Sequence, residues 1–241
     1  MPAQAPLISV LIPTRNRRDL LRQALASARM QTYPNFEILV SDNASDDGTK
    51  ELLDDAAASD PRVSVVRHGS DISGLPNFLH VLGRARGELV KFLCDDDLLA
   101  PTNLERLAGP MLGDPGIVLS FSRRARIDAQ GSPLPDDMST QPLAAADSLL
   151  DGRVLGDRTL TRLCNLIGEP STVLFRRAAV GAGGNPFEIG GARMNHSVDW
   201  ALWLNVLRHG RAFYAAETLS CFRIHPGQDQ ARDGRHEQGL A

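Results

Sequence analysis

Short apolar runs alternate with segments of helical periodicity through the first hundred residues. The apolar runs predict β-strands at 7–12, 36–40, 62–67 and from Leu89 onward. Apolar residues at helical spacing predict helices over about 18–30, after Thr49 and from Pro76 to about Ala85. We expect Pro13 to end the first strand and Gly87 to cap the third helix. The order β-α-β-α-β-α-β predicts a doubly wound parallel sheet with right-handed crossovers.

The second half of the chain is less regular. Its pattern predicts, in order, a helix over 102–111, a strand over 117–121, a hairpin over 123–131, a turn and strand over 168–177, a helix around 200–207 and two short strands at 211–216 and 218–224. Between these elements, 132–157 is rich in proline and acids, and we interpret it as a variable, mobile loop.

Three consecutive carboxylates, Asp95, Asp96 and Asp97, end the apolar run that begins at Leu89. The carboxyl ends of parallel strands are where open α/β sheets bind ligands, so we expect the acids to lie in a crevice. Their mutual repulsion is relieved most simply by a divalent cation with oxygen ligands. A solvated acidic turn or a helix N-terminus is the structural alternative. Asp42 ends the second strand at the same edge, and we expect it to contact the ligand.

Composition and charge narrow the function classes. Hydrophobic residues make up 42% of the chain and charged residues 23%, which is typical of a globular protein. A net charge of -3 argues against a nucleic-acid partner. We expect a cytoplasmic chain, because no apolar stretch reaches the roughly 18–20 residues of a membrane span and no signal peptide is recognisable. The three cysteines, Cys94, Cys164 and Cys221, are far apart and favour reduced thiols.

The loop after the first strand, Thr14 to Arg18, contains no glycine. This excludes the dinucleotide-binding fingerprint Gly-x-Gly-x-x-Gly and the phosphate-binding P-loop, both of which need glycine for close backbone approach to phosphate. Dehydrogenases and P-loop nucleotidases are therefore disfavoured.

Several segments together resemble family 2 glycosyltransferases of the GT-A fold: Ile8–Asn16, Gln31–Thr49, Gly74–Asn77 and Ala85–Glu88 running into the acid triad. The resemblance implies an α/β fold with a single GT-A domain over 1–225. Its Rossmann-like, doubly wound, mostly parallel sheet would have a nucleotide-sugar-binding half at 1–99 and a smaller mixed acceptor-binding half at 100–225. Residues 226–241 would form a polar, flexible tail.

The resemblance also implies a donor site for a nucleotide diphosphate sugar. The residues that match its nucleotide-sugar-binding positions are Pro13, Thr14, Arg15, Asn16, Asp42, Asn43, Gly74, Asn77, Asp95 and Asp96. The triad matches the Asp-x-Asp motif, in which Asp97, with Asp95, would bind Mn²⁺ or Mg²⁺ and His225 would be a further ligand. An unremarkable histidine at a strand end is the alternative for His225. Because Cys94 stands where many relatives have an additional Asp, which two acids form the pair stays open.

On the acceptor side, the resemblance identifies Asp199 as the catalytic base of an inverting enzyme, although Val198 precedes it where relatives usually have Glu. A surface acid favoured by the dipole of its helix is the structural alternative. Glu169 and Trp200 match the acceptor side, and Glu169 is equally consistent with a surface turn.

The leading functional hypothesis is therefore an inverting, metal-dependent hexosyltransferase or related enzyme. It would move sugar from a UDP or dTDP donor to a hydroxyl of a glycan or lipid-linked glycan, in surface polysaccharide synthesis. Peripheral membrane contact is compatible with this function. A receiver-like signalling domain, a non-catalytic glycan- or nucleotide-binding descendant of the fold and a nucleotidyltransferase are the alternatives.

Overall fold

A ten-stranded mixed sheet forms the centre of the protein. The computed structural model describes residues 5–181, 185–193 and 198–228. The sheet contains β1 (Ile8–Thr14), β2 (Phe36–Asp42), β3 (Val63–Arg67), β4 (Leu89–Phe92), β5 (Leu98–Leu99), β6 (Ile117–Ile127), β7 (Pro133–Leu134), β8 (Ser148–Asp151), β9 (Val173–Arg176) and β12 (Arg211–Arg223). A separate hairpin pairs β10 (Glu188–Ile189) with β11 (Ala192–Arg193).

The strand order along the sheet is β3-β2-β1-β4-β9-β6-β12-β5, with β7 beside β6 and β8 beside β12. Strands β1 to β4, β6 and β12 run in one direction, and β9 is antiparallel to both of its neighbours. Both predicted halves of the chain therefore contribute strands to one sheet, which agrees with the mostly parallel α/β fold that we expected.

Helices cover both faces of the sheet. They are α1 (Arg18–Arg29), α2 (Thr49–Ser59), α3 (Gly74–Gly83), α4 (Asn103–Gly113), α5 (Gly152–Arg162) and α6 (Val198–Leu207). The apolar sides of α1, α2 and α4 pack against one face, and α3, α5 and α6 pack against the other. In the described part of the chain, no helix has the length and apolar character needed to cross a bilayer.

Pro13 does not end the first strand, contrary to our expectation, because β1 continues to Thr14 with Pro13 opposite Ser41 of β2. The pairing with β4 on the other side stops at Leu11, opposite Phe92. Beyond that point β1 has no strand on its β4 side. A proline, which lacks the N–H that a central strand would need there, is tolerated at such a position.

Gly87 also differs from its predicted role as a helix cap. Helix α3 ends at Gly83, and Gly87 instead lies against β1, where its N–H donates to the Ser9 hydroxyl at 2.8 Å. A Cβ atom at position 87 would lie 2.6 Å from the Ser9 nitrogen and 2.7 Å from the Leu7 carbonyl oxygen. The glycine is required by this close approach of two backbones.

The segment 132–157 is more ordered than predicted. It contains β7, β8 and the first turn of α5, and the Asp151 carboxylate caps α5 by accepting from the Val154 N–H at 3.0 Å. Three arginines of β6 hold the intervening loop: Arg123 pairs with Asp136, Arg124 donates to the Ser139 carbonyl and Arg126 pairs with Asp137. The prediction that all of 132–157 is a loop was therefore wrong, although 135–147 does connect β7 and β8 as a loop.

The two short strands predicted at 211–216 and 218–224 are one strand, β12. Its register against β6 shifts between Ala215 and Thr218 and again before Ser220, so a bulge replaces the predicted break. A bulge bends a strand without ending it.

We predict that Gly87→Ala lowers the free energy of unfolding by about 1–3 kcal/mol, because the added methyl group would overlap backbone atoms that cannot move independently. Gly83→Ala is the matched control, since nothing lies within 4 Å of the place its methyl group would take on the exposed last residue of α3, and alanine is favoured over glycine in helices. Urea denaturation measures both. Equal stability of the two variants would contradict the packing argument.

Candidate active site

A cleft of about 1480 Å³ opens at the carboxyl ends of β1, β2 and β4. All but one of the predicted site residues line it: Pro13, Thr14, Arg15, Asn16, Asn43, Gly74, Asn77, Asp95, Asp96, Asp97, Glu169, Asp199, Trp200 and His225. The fold thus brings residues that are more than two hundred positions apart in sequence to one cavity. The exception, Asp42, lies fully buried at the end of β2.

Asp97 is anchored by two hydrogen bonds. Its Oδ2 accepts from the Ser171 hydroxyl at 2.6 Å, and its Oδ1 accepts from the Arg223 backbone N–H at 3.0 Å. Ser171 also accepts from the Cys94 N–H at 2.9 Å, so one hydroxyl group fixes both ends of the loop that carries the acids.

Asp95 and Asp96 face each other across the guanidinium group of Arg17. Nη1 of Arg17 lies 2.9 Å from Asp95 Oδ1 and 2.9 Å from Asp96 Oδ2. Asp95 Oδ2 accepts from the Thr14 hydroxyl at 2.7 Å, and Nε2 of His225 lies 3.1 Å from Asp96 Oδ2. Residues from β1, from the start of α1 and from the segment after β12 thus meet at the two acids.

Arg223 supports the triad from beneath. This arginine is completely buried, and its Nε donates to the Asp96 carbonyl oxygen at 2.7 Å. Its Nη2 donates to Gln23 of α1 at 3.0 Å, and its Nη1 donates to the Asp128 carbonyl at 3.2 Å. A planar group with five donors can join separate elements in this way, which a lysine cannot.

The triad carries more negative charge than its surroundings neutralise. Burial raises the pKa of Asp95 to about 6, although Arg17 opposes the shift, while the neighbouring Asp96 adds to it. Burial and the charge of Asp96 likewise raise the pKa of Asp97 well above its usual range. The ionised acids would therefore be stabilised by a further cation.

A divalent cation fits this donor set. Ligand atoms of Cys94, Asp96 and Asp97 lie within 4.8 Å of one another. Burial raises the pKa of the Cys94 thiol well above its ordinary value, so a thiolate ligand is disfavoured there. The two carboxylates, with the His225 imidazole beside Asp96, are the ligands that Mg²⁺ or Mn²⁺ would accept.

Lys91 is fully buried in β4, the strand that leads into the triad. Burial lowers the pKa of its ammonium group to about 7, while the charges of Glu169 and Asp97 oppose the shift. Near neutral pH this lysine therefore supplies only part of a positive charge to the acids in front of it.

The predicted nucleotide-side residues are held by neighbouring loops. The Asn43 amide donates to Asp71 at 2.8 Å, and Asp71 also pairs with Arg15. The Asn77 side chain is hydrogen-bonded to β2, since its Oδ1 accepts from the Ser41 hydroxyl at 2.6 Å. Asp42 pairs with Arg67 at 2.8 Å below the cleft surface, so its contact with a ligand stays a prediction.

Asp199 lines the same cleft and lies in the first turn of α6, as predicted. Its Oδ2 accepts from the Asn165 amide at 2.6 Å, and the same amide donates to the Gly168 carbonyl at 3.0 Å. Trp203 of α6 donates to that carbonyl as well, at 3.0 Å. Burial raises the pKa of Asp199 to about 6, and the charge of Glu169 adds to the shift.

Glu169 is more constrained than a surface turn residue. Its carboxylate lies 2.8 Å from Nε of Arg124 and accepts from the Thr172 hydroxyl at 2.7 Å. It nevertheless lines the cleft, as does Trp200, and the acceptor-side role of both residues stays a prediction.

Comparison with known proteins decides the family. The model of glycosyl transferase family 2 matches residues 9–201, which include the acid triad and Asp199. The chain belongs to glycosyl transferase family 2.

Two bacterial glycosyltransferases are among the relatives that this family 2 chain resembles in sequence. It is 26% identical over 220 residues to TuaG of Bacillus subtilis, provisionally described as a teichuronic acid biosynthesis glycosyltransferase, covering 91% of this chain and 79% of the relative. It is 37% identical over 103 residues to a GalNAc(5)-diNAcBac-PP-undecaprenol beta-1,3-glucosyltransferase of Campylobacter jejuni, covering 42% of this chain and 33% of that enzyme.

Solved structures agree on the GT-A fold. S. aureus TarS in complex with UDP superposes with a TM-score of 0.68 at 18% identity, covering 91% of this chain and 61% of that one. The mannosyltransferase PcManGT from Pyrobaculum calidifontis, in complex with GDP-Man and Mn²⁺, gives a TM-score of 0.65 at 17% identity, covering 96% and 61%. The family 2 chain thus spans about three-fifths of these two structures.

Sequence reasoning missed several residues of this family 2 site. Asn165, Ser171 and Arg223 hold the acids in place and come from other elements. Gln228 was assigned to the tail, but it is buried and its Oε1 accepts from the His225 N–H at 3.2 Å. Arg17 directly follows the predicted site residue Asn16, and this position in the sequence was a signal that could have identified it. The rest of the predicted tail, 229–241, lies outside the described residues.

We predict that Asp199→Asn stabilises this family 2 chain at pH 8 by about 1–3 kcal/mol. The folded pKa of about 6 exceeds the ordinary value of 3.8, so wild-type stability is fully present below pH 4 and declines as the pH rises through 6. The gain should shrink towards pH 5. Urea denaturation at both pH values measures it, with the exposed Asp157→Asn as control. A gain independent of pH would rule out the ionisation argument.

Proposed function

We propose that the protein transfers a sugar, with inversion, from a nucleotide diphosphate donor to a hydroxyl group of a glycan. One observation carries this proposal: a buried acid cluster and the carboxylate of Asp199 line the same cleft. The cluster suits a diphosphate with its cation, and the Asp199 carboxylate, held on one oxygen by Asn165, suits removal of a proton from an acceptor.

The donor side would use Asp96, Asp97 and His225 to hold Mn²⁺ or Mg²⁺. Asp96 is the better first ligand, because both oxygens of Asp97 already accept protein hydrogen bonds and only their second lone pairs are available. The bound cation would neutralise charge on the departing diphosphate. Asp95, oriented by Thr14, is left to accept a hydrogen bond from the ribose.

We favour UDP or dTDP as the donor nucleotide. TarS has been solved with UDP and with UDP-GlcNAc, and PcManGT with GDP-Man, so structures of this fold accept more than one nucleotide. In this chain, Pro13, Asn43 and the start of α3 at Gly74 border the cleft where the base and ribose would bind.

Asp199 would act as the base. Its Oδ2 is held by Asn165, which leaves Oδ1 to accept a proton from the acceptor hydroxyl. As that oxygen attacks the anomeric carbon, the diphosphate departs from the opposite side and the configuration inverts. Glu169 and Trp200 also line the cleft, and a glycan or lipid-linked glycan would lie against them.

We expect Asp199→Asn to reduce kcat at least 1000-fold while UDP affinity changes less than threefold, because an amide cannot take a proton. In the wild type, kcat/KM should fall about tenfold per pH unit below the pKa of about 6. Radiolabelled sugar transfer and calorimetry measure the two quantities. Normal turnover of the variant would remove the assignment, and absence of wild-type turnover across donors would favour the non-catalytic alternative.

We expect Asp96→Asn to weaken UDP binding in the presence of Mn²⁺ at least tenfold. Treatment of the wild type with EDTA should lower its UDP affinity to the level of the variant, whereas EDTA should leave the variant unchanged. Calorimetric titration of UDP with and without Mn²⁺ checks this. Equal responses of wild type and variant to EDTA would contradict the ligand role of Asp96.

A further inference from the structure

Arg17 occupies the position between two acids that the proposed cation must neutralise. The residue directly precedes α1, and its guanidinium group is within hydrogen-bond distance of Asp95 and Asp96 at once. The other terminal nitrogen, Nη2, donates to the Gly227 carbonyl at 2.9 Å. This arginine therefore holds the two acids and the segment after β12 together.

The same oxygen atom would serve Arg17 and a divalent cation. Asp96 Oδ2 accepts from Arg17 and lies 3.1 Å from His225 Nε2, the pair of side chains assigned above to the cation. A guanidinium group and a divalent ion cannot approach one carboxylate oxygen from the same side, because both their volumes and their positive charges exclude each other.

We propose that Arg17 is an internal cation of the nucleotide-free enzyme, which moves from Asp95 and Asp96 to the donor diphosphate when a divalent cation binds. This proposal rests on the donor and metal roles given under the proposed function. It adds a role for Arg17 in setting the order and coupling of metal and donor binding.

The surroundings of Arg17 permit such a movement. About 22% of its side chain is exposed, and it lines the cleft in which the diphosphate would lie. Phosphate offers a guanidinium group two parallel charge-assisted hydrogen bonds, whereas in this structure only Nη1 of Arg17 contacts the two carboxylates. Arg223, in contrast, is fully buried with its donors on Asp96, Asp128 and Gln23, so it stays in place.

Cooperative binding follows from this exchange. Without nucleotide, a divalent cation displaces Arg17 from two buried acids and offers its guanidinium group no new anion in return. With nucleotide, the displaced arginine gains a phosphate. Metal and UDP should therefore each increase the affinity of the other by the same factor, as thermodynamic linkage requires.

The test measures the dissociation constant of Mn²⁺ by electron paramagnetic resonance, with and without saturating UDP, on the full chain. We expect Arg17→Gln to bind Mn²⁺ at least tenfold more tightly than wild type without UDP. With saturating UDP, the variant and the wild type should bind Mn²⁺ with similar affinity. The coupling factor, which is the Mn²⁺ dissociation constant without UDP divided by that with UDP, should therefore be at least tenfold smaller in the variant. Arg22→Gln, an exposed change on α1, should match the wild type.

The variant Arg17→Lys tests whether Mn²⁺ binding responds to displacement of the guanidinium group or only to the positive charge at position 17. Lysine keeps the positive charge but cannot bridge both acids and the Gly227 carbonyl, so its coupling factor should lie between those of wild type and Arg17→Gln. An equal change in Mn²⁺ affinity with and without UDP would overturn the proposal, and so would no change. If the wild type binds no Mn²⁺ even with UDP, the proposed function itself fails.

Discussion

The burial of three adjacent carboxylates after β4 is the constraint on which the rest of the site depends. Each buried carboxylate is stabilised by a different set of partners. Asp97 accepts from Ser171 and from the Arg223 backbone. Asp96 lies against Arg17 and His225, and Asp95 lies against Thr14 and Arg17. These partners come from elements far apart in the chain. The loop of acids thus ties the first strand, the first helix and the last strand to one place.

The sequence indicated most of the nucleotide half because its signals are local. The alternation of strands and helices, the acids at strand ends and the first turn of α6 each depend on a few neighbouring residues. The strand-end acids Asp95 to Asp97 line the cleft, as do the residues that the resemblance to family 2 glycosyltransferases implied, with the exception of Asp42. Asp42 was placed at the correct strand end, but its pairing with Arg67 depends on the register between β2 and β3, which local patterns do not encode.

What sequence reasoning missed depends on tertiary structure. Gly87 resembles a helix cap in sequence, yet the contact that requires it is made by Ser9 and Leu7 of another segment. The order in 132–157 comes from arginines of β6, whose spacing carries no sign of their partners. Asn165 and Ser171 are ordinary polar residues until the fold brings them to Asp199 and Asp97. Side chains that act by orienting others leave little trace in a single sequence.

The single strand β12 has a consequence for engineering. Near its start, Tyr214 accepts from the Leu143 N–H at 3.2 Å beside the acceptor half, and at its end Arg223 lies beneath the acid triad. One continuous strand therefore contacts both the 135–147 loop and the acid triad. A chimera that takes segments of its second half from a relative should exchange loops such as 135–147 and keep β12 whole, since a junction inside that strand would shift the register beneath the triad.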